Sequence, residues 1–264
     1  MRIAVAGGSG CVGRFVVDEV RTAGHQPVVI TRSAGVDITT GSGLDDALAG
    51  TSVLIDVSNI VTMRRSRSVA FFEAGTRNLL AAGRRAGLSH HVVLSIVGIE
   101  RVDIGYYDGK RRQESLVLSG AVPASVLRAT QFHEFAAQVL RRARGPLALV
   151  PRMPTQPVAA REVAEALLAL AVGSPAGMAP ELAGPEQLEL TELARRVLRA
   201  RRSRRLVVPI RLPGAAGRAV ARGALLPSGS GPRGRQTFDE WLAGPDAASL
   251  AKPGGRGAPG SGRP

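Results

Sequence analysis

Short apolar runs alternate with stretches of helical periodicity over the first 150 residues of the chain. Ile3–Ala6 is a continuous apolar run that leads into glycines, which predicts a buried strand. Cys11–Ala23 has apolar residues at helical spacing, and Gly24 after it is suited to end a helix. By the same criteria we predict further strands at Pro27–Thr31, Val36–Ile38, Val53–Val57, Val92–Val97, Ser125–Arg128 and Leu147–Val150, and further helices at Leu44–Ala49, Val69–Ala86, Tyr106–Ser119 and Gln131–Arg144.

This order of elements predicts the fold class. Strands that alternate with helices are typical of βαβ units and a parallel sheet. Because the predicted strands are apolar throughout, helices should cover both faces of that sheet. We therefore expect an α/β fold with a doubly wound parallel Rossmann sheet in residues 1–150, and a small C-terminal substrate-pocket region in residues 151–245 that packs on this core.

The second part of the chain has weaker periodicity. Residues 246–264 are predicted to form a disordered tail, because Gly, Pro and Arg dominate its last positions. Before the tail we predict helices at Glu162–Ala171 and Thr191–Ala200, a loop at Pro209–Gly217, a mobile segment at Leu225–Arg235, and a short docked helix at Thr237–Leu242 that carries Phe238 and Trp241.

Positive charge is concentrated in one segment. The 264 residues carry a formal net charge of +14, and Arg195–Arg235 contains twelve arginines and no acidic residue. Such a segment could bind nucleic acid or an acidic protein. The interpretation we favour is a solvated basic surface, because charge runs often arise without a partner.

The cysteine content and the hydropathy pattern limit the cellular compartments in which the protein is expected. Cys11 is the single cysteine, so no intrachain disulfide can form, which fits a reducing compartment. The chain has no apolar stretch long enough to span a membrane and no signal-peptide pattern at its start, so we expect a cytoplasmic protein. His90 and His91 are adjacent and have no third ligand nearby, so we expect no metal site. The oligomeric state is left open.

A glycine-rich loop follows the first predicted strand and opens the first predicted helix. Its sequence is Gly7-Gly8-Ser9-Gly10-Cys11-Val12-Gly13, with glycines at the spacing G-x-x-G-x-x-G. Small residues let the chain turn sharply and let backbone N–H groups approach a pyrophosphate, which the helix N-terminus also favours. The loop therefore predicts a dinucleotide site.

The end of the second predicted strand bears on the choice of dinucleotide. NAD-binding chains usually place Asp or Glu there to hold the ribose 2′-hydroxyl. This chain has Thr31, Arg32 and Ser33 instead, and an arginine pairs with a 2′-phosphate. We predict NADP as the cofactor, with NAD as the alternative. Arg14 is a second phosphate candidate, and Asp37 could lie beside the adenine.

Tyr106 and Lys110 are four residues apart on a predicted helix, in a chain with only two tyrosines and two lysines. At this spacing they share one helix face, and an ammonium near a phenol lowers the phenol pKa. Ser95 lies near the end of the preceding strand, where its hydroxyl could orient a substrate carbonyl. Together the three residues predict a carbonyl-reduction site, in which Tyr106 donates the proton and Lys110 holds the ribose.

Two further groups follow predicted strands and complete the candidate site. The carboxyl ends of parallel strands are where ligands bind in this architecture. We expect the stretch Asp56, Val57, Ser58 and Asn59 to pass under the nicotinamide ribose. Gln131, Phe132 and His133 should face the substrate.

The chain resembles the atypical short-chain dehydrogenase/reductase superfamily, within its NmrA-like NAD(P)-binding branch. The likeness runs from Met1 to about Ala171 and extends more weakly to Leu242. It rests on the stretches Ala6–Gly13, Gly75–Ala82, Val92–Gly98, Tyr106–Lys110 and Leu127–Phe132.

The resemblance implies a doubly wound sheet, a pocket closed by C-terminal segments, and catalytic roles for Ser95, Tyr106 and Lys110. The leading hypothesis is an NAD(P)H-dependent oxidoreductase that transfers a hydride to a small carbonyl or quinone-like substrate. The alternative is a catalytically silent dinucleotide sensor that binds protein or nucleic acid through Arg195–Arg235. A sugar-nucleotide epimerase is a third hypothesis, which we weigh less because those enzymes tend to be longer.

Overall fold

A six-stranded parallel sheet forms the centre of the molecule, in a computed structural model that describes residues 1–143 and 145–248. The strands of the described chain are β1 (Arg2–Ala6), β2 (Gln26–Ile30), β3 (Val53–Asp56), β4 (His90–Ile96), β5 (Ala124–Ala129), β6 (Leu147–Pro151), β7 (Pro154–Thr155), β8 (Gly177–Met178), β9 (Leu188–Glu189) and β10 (Leu206–Ile210). The central sheet has the order β2-β1-β3-β4-β5-β8, and every pair in it is parallel.

Helices cover both faces of this sheet, as the apolar strands predicted. The helices are α1 (Gly13–Thr22), α2 (Leu44–Leu48), α3 (Arg65–Arg85), α4 (Gly105–Leu118), α5 (Glu134–Arg142), α6 (Ala160–Val172), α7 (Leu190–Ala200), α8 (Gly214–Ala221), α9 (Phe238–Ala243) and α10 (Pro245–Ala248). Along β1, Ile3 and Val5 pack with α1 and α6, whereas Ala4 and Ala6 pack with α2 and α3. The doubly wound Rossmann fold is thereby confirmed.

A second buried cluster joins α5, β6, α7, α8 and α9. β6 pairs in parallel with β10, and β7 pairs antiparallel with β9, both outside the central sheet. The helix α6 and the strand β8 follow residue 151 but pack into the Rossmann core, whereas α5 and β6 precede it and pack with the C-terminal helices. The proposed division at residue 150 stays a prediction.

Three sequence predictions differ from the structure. Val36–Ile38 is not a strand, because Asp37 makes only an isolated bridge to Ser42. Leu147–Val150 is a strand but lies outside the central sheet. The loop predicted at Pro209–Gly217 instead contains the end of β10 and the start of α8.

The short C-terminal helix is confirmed as α9. Phe238 and Trp241 are buried, and their ring centroids lie 5.3 Å apart. The first three residues of the predicted tail, 246–248, form the last part of α10. The rest of that tail lies outside the described residues. Within the described residues, the helices are all too short or too polar to cross a membrane.

A capping box at Thr237 fixes the start of α9. The Thr237 hydroxyl accepts a hydrogen bond from the Glu240 N–H, and the Glu240 carboxylate accepts one from the Thr237 N–H. We expect Thr237→Ala to lower the free energy of unfolding by about 1 kcal/mol, because the cap is lost. Urea unfolding measures the change. Thr237→Ser keeps a capping hydroxyl and is expected to stay close to the wild type; equal losses in both variants would contradict the assignment.

Candidate nucleotide-binding and catalytic site

Backbone packs on backbone at the glycine loop. Gly7 has a φ of 80°, and a Cβ placed on it would lie 2.8 Å from the Cα of Ser58. A Cβ on Gly13 would lie 2.1 Å from the carbonyl oxygen of Gly7. No side chain fits at these distances, so the two glycines allow the close approach of the end of β1, the start of α1 and the chain after β3.

Because of this loop, α1 begins at the edge of the sheet where the carboxyl ends of the strands lie. The Gly7 N–H donates to Ile30 O at 3.0 Å, and the Gly10 N–H donates to Gly7 O at 2.9 Å. No side chain caps α1, and its first turn has no acidic residue. An uncapped helix N-terminus of this kind favours an anion.

One cavity of about 600 Å³ runs along the carboxyl ends of the first four strands. Of the residues predicted from the sequence, its lining includes Gly7, Ser9, Gly10, Cys11, Val12, Arg32, Val57, Ser58, Tyr106, Lys110 and Phe132. Among the described residues, the lining does not include Gly8, Gly13, Ser33, Asp56, Ser95, Gln131 or His133. The described lining also ends at Phe132, so the pocket-closing role of residues 151–245 stays a prediction.

Arg32 and Asp37 line the cavity near the end of β2. The Asp37 carboxylate accepts hydrogen bonds from the Thr39 hydroxyl at 2.7 Å and the Thr39 N–H at 2.8 Å. These bonds hold the pKa of Asp37 below its ordinary value, and the charge of Arg32 acts in the same direction. Arg32 is exposed, so its guanidinium is accessible to a ligand.

Tyr106 lines the cavity, and its hydroxyl donates to Asn59 Oδ1 at 2.8 Å. Burial, with a further contribution from Tyr107, raises the pKa of Tyr106 above its ordinary value. This corrects the expectation of a lowered pKa, because the nearby ammonium of Lys110 is directed elsewhere. A buried phenol remains protonated at neutral pH.

Lys110 begins a buried chain of hydrogen bonds. Its ammonium donates to Leu94 O at 2.6 Å and to Gln113 Oε1, and lies 4.9 Å from the centre of the Phe72 ring. The Gln113 amide then donates to Asp56 Oδ2 at 2.8 Å. Burial lowers the pKa of Lys110 to about 8, although the charge of Asp56 opposes this shift.

Asp56 is a buried hydrogen-bond acceptor behind the cavity wall. Its Oδ1 accepts a hydrogen bond from the Ser58 N–H at 2.8 Å, and its Oδ2 accepts the bond from Gln113. The side chain is buried, and Asp56 is not among the described residues that line the cavity. The structure therefore does not place it in direct contact with a cofactor. It fixes the turn that presents Val57 and Ser58.

Ser95 is not among the described residues that line the cavity with Tyr106 and Lys110. Side chains alternate along β4, and Leu94 and Ile96 line the cavity. Ser95 therefore faces the opposite side, where Val93 packs with Val117 of α4. Its hydroxyl is buried and has no hydrogen-bond partner among the described residues.

His133 belongs to the second cluster rather than the cavity. Its ring lies 5.5 Å from both Phe238 and Trp241, and its Nε2 lies 3.1 Å from Gln236 O. Burial lowers its pKa to about 4, so it is neutral at neutral pH. Gln131 is also absent from the described cavity lining, and within the described chain its two buried side-chain polar atoms have no hydrogen-bond partner.

Cys11 and Ser33 have local roles in the structure. Burial raises the pKa of the Cys11 thiol to about 12, so the thiol is protonated and packs against the cavity wall. The Ser33 hydroxyl lies 3.1 Å from that of Thr31.

The sequence analysis did not identify Gln113, nor the hydrogen bond between Asn59 and Tyr106. Gln113 is three residues after Lys110, a spacing that places both on one helix face. Asn59 is among the residues expected to pass under the nicotinamide ribose, but the sequence does not indicate its hydrogen bond with Tyr106. Gln113 could have been found by following the face of α4 that carries Lys110.

Half of the arginines in Arg195–Arg235 have partners within the described chain. Arg205, for example, donates to the carbonyl oxygens of Leu140, Ala143 and Gly145 at 2.8–3.0 Å. The other paired residues are Arg195, Arg196 and Arg199 with Glu192, Arg233 with loop carbonyls, and Arg235 with Glu162 and Glu165. A nucleic-acid or acidic-protein partner stays a prediction.

Comparison with known proteins agrees with this geometry. No family model matches the chain. A (4-alkanoyl-5-oxo-2,5-dihydrofuran-3-yl)methyl phosphate reductase from Streptomyces griseus is 29% identical over 208 residues, which cover 72% of this chain and 70% of the relative.

Solved structures share the fold at low sequence identity. A short-chain dehydrogenase/reductase superfamily protein from Agrobacterium tumefaciens with bound NAD has a TM-score of 0.68 and 20% identity, covering 95% of this chain and 97% of its own. The Citrobacter sp. triphenylmethane reductase complexed with NADP(H) has a TM-score of 0.67 and 17% identity, covering 88% of this chain and 93% of its own.

The lowered pKa of Lys110 predicts a pH dependence of stability. The folded protein releases this proton near pH 8, whereas an unfolded lysine holds it to about 10.5. Between these values the unfolded state binds more protons, so the stability contribution of Lys110 rises with pH. We expect wild type to gain up to about 1.4 kcal/mol per pH unit relative to Lys110→Met. Urea unfolding of both proteins from pH 7 to pH 10 measures this; parallel profiles would contradict the assignment.

Proposed function

We propose that this chain, which has the fold of the short-chain dehydrogenase/reductase superfamily, is an NAD(P)H-dependent reductase of a small carbonyl or quinone-like compound. The observation that carries the proposal is that one cavity is lined both by the glycine loop and by Tyr106 and Lys110. The reductase from Streptomyces griseus supports the reaction class, and the neighbours with bound NAD and NADP(H) support the cofactor class.

The residues present fit a dinucleotide. Gly7 and Gly13 let the loop pack closely on the neighbouring backbone. The start of α1 that this loop leads into is uncapped and offers N–H groups to a pyrophosphate. Val57 and Ser58 line the cavity beyond the loop and would lie along the ribose next to the nicotinamide. Lys110, at the same wall, would hold that ribose.

The protonation states suit reduction. A bound NAD(P)H supplies the hydride for the carbonyl carbon. Tyr106 lines the cavity in its protonated form and would donate its proton to the carbonyl oxygen. The Lys110 ammonium, whose pKa is about 8, carries a positive charge at neutral pH and lies in the same helix one turn further on.

The substrate end of the cavity combines apolar walls with one cation. Ile60, Phe71 and Phe132 line it, and Arg67 lines it from the first turn of α3. The relative from Streptomyces griseus is named for a substrate that carries both an acyl group and a phosphate. We propose that Arg67 would pair with such an anionic group when the substrate has one.

A catalytically silent dinucleotide sensor remains the second candidate. The observation in its favour is that Ser95 is not among the described lining residues of the cavity, so the expected serine, tyrosine and lysine set is not seen together there. A sensor would bind the dinucleotide through the same glycine loop and keep that affinity when Tyr106 is changed.

Arg32 is expected to select NADPH. Loss of a charge-assisted contact with the 2′-phosphate costs about 1.5–3 kcal/mol, so Arg32→Ala should weaken NADPH binding by about tenfold or more. Binding of NADH, which lacks that phosphate, should be unchanged. Fluorescence titration with both dinucleotides measures this.

The matched control for Arg32→Ala is Arg85→Ala. Arg85 is exposed, pairs with Asp45 at 2.7 Å and is not part of the described cavity lining. Equal effects of Arg32→Ala on NADPH and NADH would contradict the 2′-phosphate role. Failure of the wild type to bind either dinucleotide would overturn the proposed function.

Tyr106→Phe is expected to reduce turnover without changing NADPH affinity. Proton donation by a positioned side chain contributes about 10²–10⁴-fold, so kcat should fall by that factor. Oxidation of NADPH with 9,10-phenanthrenequinone and with a (4-alkanoyl-5-oxo-2,5-dihydrofuran-3-yl)methyl phosphate measures it. Tyr107→Phe is the control, since Tyr107 is not among the described lining residues. Tight NADPH binding with no turnover of either compound by the wild type would favour the sensor.

A further inference from the structure

The carbonyl-polarising position of the site needs a second hydrogen-bond donor. Tyr106 is one donor at the cavity, and Ser95 was the expected second. The hydroxyl of Ser95 is buried, and Ser95 is not among the described residues that line the cavity. A donor next to the Tyr106 hydroxyl would fill this position.

Asn59 lies at that position. It is exposed, it lines the same cavity, and its Oδ1 is 2.8 Å from the Tyr106 hydroxyl. The backbone N–H of Ile60 donates to the same Oδ1, also at 2.8 Å.

These two contacts fix the orientation of the Asn59 amide. A backbone N–H can only donate, so the atom that faces Ile60 is the oxygen, and the Tyr106 hydroxyl must donate to it. The Nδ2 group therefore points away from Ile60, and within residues 1–143 and 145–248 it has no hydrogen-bond partner. Its two N–H donors are available to a ligand beside Tyr106.

We propose that Asn59 donates the second hydrogen bond to the substrate carbonyl oxygen, in the role expected of Ser95. This inference rests on the proposed reductase function. When the carbonyl oxygen lies beside Tyr106, the phenol proton turns from Asn59 Oδ1 to that oxygen, and Asn59 Nδ2 donates to the oxygen from the same amide. Asn59 is then a catalytic residue, because it touches the reacting atoms.

The step balances as an ordinary carbonyl reduction. The carbonyl carbon receives the hydride with its electron pair, and the π pair of the C=O bond moves to the oxygen. The oxygen takes the proton of Tyr106, and solvent reprotonates the phenolate. Asn59 keeps all its protons and stabilises the negative charge that develops on the oxygen.

The substitution Asn59→Asp removes the hydrogen-bond donor for the substrate and keeps the acceptor for Ile60 and Tyr106. A carboxylate still accepts the hydrogen bonds of Ile60 and Tyr106, but it cannot donate to the substrate. Loss of one such donor costs about 10²–10³ in kcat, and we expect this loss in Asn59→Asp and in Asn59→Ala. The NADPH dissociation constant should be unchanged in both. The measurement is NADPH oxidation with the quinone and the phosphate ester named above, with fluorescence titration of NADPH.

A second readout does not depend on turnover. The chain has only two asparagines, so ¹⁵N-asparagine labelling gives two side-chain amide pairs in an NMR spectrum. The Asn78 amide donates to Ile38 O at 2.9 Å and Thr39 O at 3.0 Å, and it serves as the internal reference. In the non-reacting complex with NADP⁺ and the quinone, we expect the Asn59 pair to shift relative to the complex with NADP⁺ alone, while the Asn78 pair stays in place.

The outcomes distinguish failure of this inference from failure of the reductase function. Wild-type kcat in Asn59→Asp, or an Asn59 pair that does not shift, would overturn the role of Asn59 alone. A loss of kcat in Ser95→Ala with none in Asn59→Ala would return the role to the serine. A wild type that binds NADPH but reduces neither compound would overturn both proposals together.

Discussion

The contact of backbone on backbone at Gly7 and Gly13 is the constraint on which the site depends. A Cβ on Gly13 would lie 2.1 Å from Gly7 O, and one on Gly7 would lie 2.8 Å from Ser58 Cα. With hydrogen in place of methyl, three chain segments meet at one edge of the sheet. The start of α1 is thereby aimed at a phosphate, and the turn after β3 brings Asn59 to Tyr106.

The same turn is held from its other side by buried polar groups. Asp56 accepts hydrogen bonds from the Ser58 N–H and from Gln113, which in turn accepts one from Lys110. Burying a carboxylate without these donors would cost free energy. The hydrogen bonds from Lys110 through Gln113 to Asp56 therefore depend on one another. The glycine contacts fix where the turn lies, and the hydrogen bonds fix which groups it presents.

The parts of the fold that follow local pattern could be predicted, namely the glycine loop, the apolar strands and the capped helix at Thr237. Ser95 could not be placed, because alternation in β4 assigns its face and the sequence does not set that register. His133 could not be placed either, since its ring packs on Phe238 and Trp241, more than a hundred residues later. At Pro209–Gly217, proline and glycine suggested a loop, yet β6 supplies the partner strand for β10.

The chain passes between its two buried clusters more than once. It leaves the Rossmann core at α5 and β6, returns for α6 and β8, and leaves again at α7. The residues after position 150 therefore do not pack as a separate unit. Recombination at residue 150 would remove a helix from one face of the sheet and a strand from its edge. We therefore expect the segments on either side of residue 150 to fold as one unit.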